Sequence, residues 1–68
     1  MDNLKIYQAQ GIKRAHYVLS KNKTQAIRAC KIIYPVENID SAVDVTANYT
    51  RKEIKNLPDY IITASEFL

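Results

Sequence analysis

Asn22-Lys23-Thr24-Gln25-Ala26-Ile27-Arg28-Ala29-Cys30-Lys31-Ile32-Ile33-Tyr34-Pro35 reads as the clearest helix in the chain, and the remaining segments are read around it. Asn22 can cap the free N–H groups of the first turn, while Gln25, three positions on, can reach back in a capping-box arrangement. Ala26, Ala29, Cys30 and Ile33, with Ile27 and Tyr34 beside them, recur at i, i+3, i+4, i+7 spacing and form one apolar stripe. Arg28 and Lys31 point elsewhere. Pro35 stops the helix, because it lacks a backbone donor and its ring clashes with the preceding turn. At ~1.5 Å per residue the helix spans ~18 Å, close to a six-residue strand at ~3.3 Å each. It can therefore lie across a hairpin and cover it.

Upstream, Leu4 to Ala9 has β-type composition, and Gly11 supplies the freedom for a turn into a second strand from about Arg14 to Ser20. In that strand Ala15, Tyr17 and Leu19 alternate with His16 and Val18, so the two runs form a β-hairpin. Downstream, a polar connection from Glu37 to Ser41 leads into Val43, Val45, Ala47 and Tyr49, which alternate with Asp44, Thr46, Asn48 and Thr50. A strict period of two predicts a strand with one buried and one wet face. Thr50-Arg51-Lys52-Glu53 offers a second capping box, opening a short helical turn that ends before Pro58. Asp59 to Thr63 reads as a last strand, whose place at an edge or inside the sheet the sequence leaves open. The order β-β-α-β-β predicts an α+β fold: a small, mostly antiparallel sheet of three to four strands with one main helix packed on one face.

At 68 residues the chain is one domain, 1–68, with no Gly-, Ser- or Pro-rich linker and no internal repeat. Domains of this size bury only roughly 60% of the unfolded surface. Nine Ile, four Leu and four Val supply a core, and the excess of Ile and Val over Leu favours a sheet. A single cysteine, Cys30, cannot form an internal disulfide, which fits a reducing cytoplasm and not a small secreted scaffold. The start, Met1-Asp2-Asn3-Leu4-Lys5, does not read as a signal peptide, and no run approaches the ~20 apolar residues that cross a bilayer. Asn22-Lys23-Thr24 and Asn48-Tyr49-Thr50 match the glycosylation triplet by chance in a cytosolic chain.

Little in the chain suggests catalysis. His16 and Cys30 are the only residues of their kind, and Cys30 falls on the apolar stripe, where a thiol behaves as a small hydrophobe. One Cys and one His do not make a zinc site. Glu37, Asp40 and Asp44 lack the spacing and the glycine of a calcium loop, and Gly11 alone cannot build a phosphate cradle. No catalytic residue, metal or cofactor is expected.

Binding is the better reading. Seven Lys/Arg and one Asp lie in residues 1–31, against three basic and six acidic residues in 32–68, so the folded domain is expected to carry a basic and an acidic side. Lys13 and Arg14 sit at the hairpin turn; Lys21 and Lys23 sit at the other end of the second strand, about 20 Å away. With Arg28 and Lys31 they could follow a phosphate backbone or simply solubilise a face. Five of the six aromatic residues are tyrosines, too many to bury and satisfy in so small a domain. Tyr7 and Tyr60, in the less clearly patterned strands, are expected to be exposed and to serve as interface anchors.

His16-Tyr17-Val18-Leu19, the capped helix Asn22 to Tyr34, its Tyr34-Pro35 exit and the strand Val43-Asp44-Val45-Thr46 together resemble a group of small phage-encoded host-takeover proteins. In pattern they are similar to the short inhibitors of bacterial RNA polymerase carried by T7-like phages. The resemblance covers about half of the chain and implies a hairpin, one helix and a returning strand that dock on a host enzyme. A fourth strand and a basic first half depart from that pattern, so no residue's role is carried over. The expectation is a non-catalytic, phage- or prophage-encoded protein-binding module that modulates or inhibits a host protein in its cytoplasm, with homodimerisation through an open strand edge as a further possibility. The alternative is a small basic nucleic-acid-binding regulator using Lys13, Arg14, Lys21, Lys23, Arg28 and Lys31.

Overall fold

The computed structural model describes residues 4–68; the reading of Met1 to Asn3 as leaderless lies outside them. Two strands, β1 (Lys5–Gln10) and β2 (Ala15–Ser20), pair antiparallel in the register Tyr7↔Val18 and Ala9↔His16. Their turn is closed by the Gly11 N–H donating to the Arg14 carbonyl at 2.9 Å. At the far end the Ser20 hydroxyl donates to the Asn22 carbonyl at 2.8 Å and accepts from the Asn22 N–H at 3.3 Å. That pair of hydrogen bonds holds the corner from which α1 (Lys23–Ile33) departs. Asn22 caps it through Oδ1, which accepts from Gln25 N–H at 2.9 Å. Buried Ala26, Ala29 and Cys30 face the sheet, and Ile27 and Tyr34 pack at the margin. Small residues on this stripe let the helix approach closely.

After Pro35 a 3₁₀ turn (Pro35–Glu37) ends at Asn38, whose φ of 51° is left-handed, a conformation that asparagine tolerates better than most residues. The chain then reaches β3, which is only Val43–Asp44, antiparallel to β1. The strand expected over 43–50 is therefore corrected to two residues. Asp44 ends it: its Oδ1 accepts from the Thr46 N–H at 2.9 Å and from the Thr46 hydroxyl at 2.6 Å, folding the chain into a 3₁₀ turn (Thr46–Asn48). A short Asp side chain competing for local backbone donors outbids the sheet ladder. Thr46 Oγ1 in turn accepts from the Ile6 N–H at 3.0 Å, and the Ile6 carbonyl accepts from Val45 N–H at 2.8 Å.

The following segment crosses the sheet's second face and contains α2 (Arg51–Lys55), whose capping box between Thr50 and Glu53 is complete in both directions. It delivers the chain to β4 (Ile61–Thr63), which pairs parallel with β2. The order β3-β1-β2-β4 puts the last strand at an edge, a placement the sequence leaves open. The sheet is mostly antiparallel, as expected, through the β1–β2 and β1–β3 pairs, and is made mixed by the parallel β2–β4 pair. Because β3 and β4 occupy opposite edges, the segment between them must cross a face, and β4 then begins again beside the start of β2.

The main helix packs on one face, as expected, and the crossing covers the other. One face packs Tyr7, Ala9 and Val18 against α1, Ile39, Ala42 and Ala64. The other packs Ile6, Leu19 and Ile61 beneath Val45, Tyr49, Ile54 and Leu57. The fold is α+β, with a four-stranded sheet and one main helix. No helix among the described residues is long and apolar enough to cross a membrane.

Candidate functional site

β1 runs toward the hairpin turn, β2 away from it, and α1 back toward it, so the turn and the C-terminal end of α1 meet. Glu37 clamps them: Oε1 accepts from the Ile12 N–H at 2.9 Å, and both carboxylate oxygens lie 3.1 Å from His16 Nε2. The His16 ring, 7% exposed, stacks on Tyr34 with centroids 3.8 Å apart and planes 17° from parallel. Hydrogen bonding from His16, then from Ile12, with the charge of Arg14 nearby, holds the Glu37 carboxyl below its ordinary range. Gly11 is needed for close approach: a Cβ there would run into Glu37 Oε1 and lie 2.7 Å from His16 Nε2 and from the Arg14 carbonyl oxygen.

The clamp leaves an apolar tip outside. Ile12 is 70% exposed and flanked by exposed Lys13 and Arg14, and Val36, which precedes the clamping Glu37 in the chain, is 80% exposed. Beside it, between the end of α1 and the start of β4, His16, Tyr17, Tyr34 and Tyr60 line a groove with Arg14 and Asp59 at its lip. Tyr60 meets Tyr17 edge-on at 5.3 Å, and its hydroxyl lies 3.1 Å from that of Tyr49. Burial, then the bond to Tyr60, pushes the Tyr49 hydroxyl pKa up to about 12.

The residues singled out from the sequence fall into separate places. Tyr60 is 57% exposed, as expected. Tyr7 is only 6% exposed and belongs to the core, which corrects its reading as a surface anchor: opposite Val18 in the register, its side chain points under α1. Lys13, Arg14, Lys21, Lys23, Arg28 and Lys31 are all exposed. Lys31, in the last turn of α1, is at the same end as Lys13 and Arg14, while Lys21 and Lys23 stay at the far end. The ion pairs among the described residues are Lys5–Asp44 at 3.8 Å and His16–Glu37, and none of the six cations takes part in either. Residues 4–36 contain no Asp or Glu at all, a signal more pointed than the halves compared above.

Cys30 is fully buried, and burial, followed by the charge of Glu37, raises its thiol pKa. Among the described residues no three His, Cys, Asp or Glu side chains come together to hold a metal ion. Glu37 and Asp44, weighed together in the sequence against a calcium loop, do separate work at the hairpin turn and at the end of β3. Sequence reasoning missed Ile12, Val36, Glu37 and Asp59. Ile12 was detectable, since an apolar residue beside Gly11 in a tight turn has nowhere to be buried. Comparisons with protein-family models, curated proteins and solved structures found no match.

Proposed function

We propose that this chain is a small non-catalytic protein-binding module, phage or prophage encoded, that modulates or inhibits a host protein through the tip of its hairpin. The observation that carries the reading is Ile12, 70% exposed on the turn that Glu37 clamps and framed by exposed Lys13 and Arg14, with exposed Val36 next to Glu37 in the chain. Exposed branched side chains held on a clamped turn lose little freedom on docking, and the flanking cations choose an orientation. The partner that complements them carries an apolar pocket rimmed by carboxylates. The phage origin and the host target rest on the order of elements described above, and the host cytoplasm suits a chain whose one thiol is buried and unpaired. A non-catalytic role is supported by that same thiol, whose raised pKa works against nucleophilic use.

The reading is tested by capture from a nuclease-treated bacterial lysate with the parent protein, Ile12→Asp and Arg14→Glu. One partner retained by the parent and lost by both variants, each folded by circular dichroism, is the expected result. A partner indifferent to both substitutions sinks the tip as the docking surface. The outer edge of β4 is a second place for pairing, with another copy of the chain; light scattering across a concentration series reads it directly.

A second reading, a basic nucleic-acid-binding regulator, is favoured by one specific observation: six exposed cations without an ion pair among the described residues, set in a stretch free of acids. Each phosphate contact releases counterions, so binding through Lys13, Arg14, Arg28 and Lys31 would weaken with a log–log salt slope of about −3 on a single strand.

A further inference from the structure

The groove beside the tip has features that neither the apolar tip nor the surface charge accounts for. It measures about 450 Å³, large enough for a planar heterocycle and its sugar. Tyr60 is more than half exposed, yet its ring is fixed by edge contact with Tyr17 and by the hydroxyl pair with Tyr49. An exposed aromatic ring that is already immobilised gives up little entropy when something stacks on it.

The floor carries backbone polarity as well. Ile6 directs its N–H and carbonyl toward the β3 side of β1, so in the alternating antiparallel pattern Tyr7 and Ala9 bond across to Val18 and His16. Ala15 and Tyr17 therefore turn their N–H and carbonyl groups toward β4, but β4 pairs only from Tyr17 onward. Ala15 is left presenting a donor and an acceptor at the groove. At the lip, Arg14 offers a guanidinium with no ion-pair partner among the described residues, and Asp59 an acceptor for a ring N–H.

Immobilised aromatic faces, a backbone donor and acceptor, and a cation at the mouth match a base carrying a phosphate. We propose that this groove stacks a base of a single-stranded nucleic acid, with Tyr60 as the platform and Arg14 on the adjoining phosphate. The proposal rests on the second reading above and adds to it a place where the strand is gripped by its bases. A duplex keeps its bases inside, so the groove distinguishes single strands from duplex, whereas surface cations alone favour the more densely charged duplex.

The test measures binding of labelled ~12-nucleotide single strands of DNA and RNA, and of the matching DNA duplex, by fluorescence anisotropy at low salt. Single strands are expected to bind more tightly than duplex. Tyr60→Ala is expected to weaken single-strand binding about fivefold or more while leaving duplex binding unchanged, and Arg14→Gln to weaken both. Amide resonances of Ala15, Tyr60 and Ile62 in the parent protein should shift on adding the single strand, a readout independent of whether the variants fold. Duplex bound as tightly as single strand, with those resonances still and Tyr60→Ala neutral, overturns the groove while leaving the cationic surface intact. Absence of all nucleic-acid binding overturns both. Loss of a captured protein partner on Tyr60→Ala, without nucleic-acid binding, assigns the groove to a protein side chain and equally overturns the proposal.

Discussion

The two faces of the sheet are closed by different means. On the first, an eleven-residue helix with its own cap lays Ala26, Ala29 and Cys30 on Val18, Tyr7 and Ala9, and every one of these residues is buried. On the second, Ile6, Leu19 and Ile61 are buried beneath an irregular crossing whose covering residues Val45, Tyr49, Ile54 and Leu57 are themselves only half-buried. The helix closes its face by packing. The crossing is fastened instead by discrete polar bonds: Asp44 to Thr46, Thr46 to Ile6, Thr50 to Glu53, and Tyr49 to Tyr60. A face closed by packing resists local opening, whereas one closed by a few half-exposed bonds opens first.

Substitutions can break that contrast or sharpen it. Ile39→Ala, in the first core, is expected to destabilise by about 3–5 kcal/mol, enough to unfold much of so small a domain in a urea titration. Ile54→Ala, on the half-buried cover of the second face, is expected to cost about 1–2 kcal/mol; equal costs would erase the distinction. Gly11→Ala, which drives a methyl group into the Glu37 clamp, is expected to cost about 1–3 kcal/mol. Its effect should fall short of additive with Glu37→Ala, because the second change removes the nearest of the three atoms it collides with and leaves the Arg14 carbonyl and His16 in place. Thr50→Ala removes the α2 cap for about 1 kcal/mol, and amide exchange should accelerate around Ile54 and Leu57 but not around Ala29.

The smallest effect is read by pH. Glu37 titrates below its ordinary value of 4.5 in the folded chain, so the unfolded chain takes up its proton first as pH falls. The stability it contributes is complete above the ordinary carboxylate range and is lost as pH drops through the folded value. Stability curves of the parent and Glu37→Gln should therefore converge at low pH and separate toward neutrality; parallel curves would mean that the His16–Glu37 pair contributes nothing to folding.

Much of the first half was legible because its decisions are local. Asn22, the three- and four-residue spacing of Ala26, Ala29 and Cys30, and Pro35 act within a turn or two of themselves. Gly11 marked its turn, and Thr50 with Glu53 marked theirs, for the same reason. The strand expected from Val43 to Tyr49 failed on a competition that periodicity does not see: the Asp44 carboxylate reached two residues ahead before a partner strand could pair. Tyr7 was misplaced because β1 is covered on both faces, which removes the alternation that separates inside from outside. Of the candidate surface, the cations were visible in the sequence, while the clamp of Glu37 on the Ile12 turn and the groove needed residues far apart in the chain to converge.

What the chain's own order of residues determined is therefore the hairpin, the capped main helix, the short second helix, the burial of Cys30 and the placing of cations outside. Each follows from backbone sterics, capping and helical or turn spacing over a few residues. Only the tertiary structure decided that β4 runs parallel to β2, that the second face is roofed by the crossing, and that Glu37 meets His16 and Ile12 across 21 and 25 positions. Those outcomes depend on which distant surfaces are left to bury once the local pieces exist, and that is set by their packing together and not by any one segment.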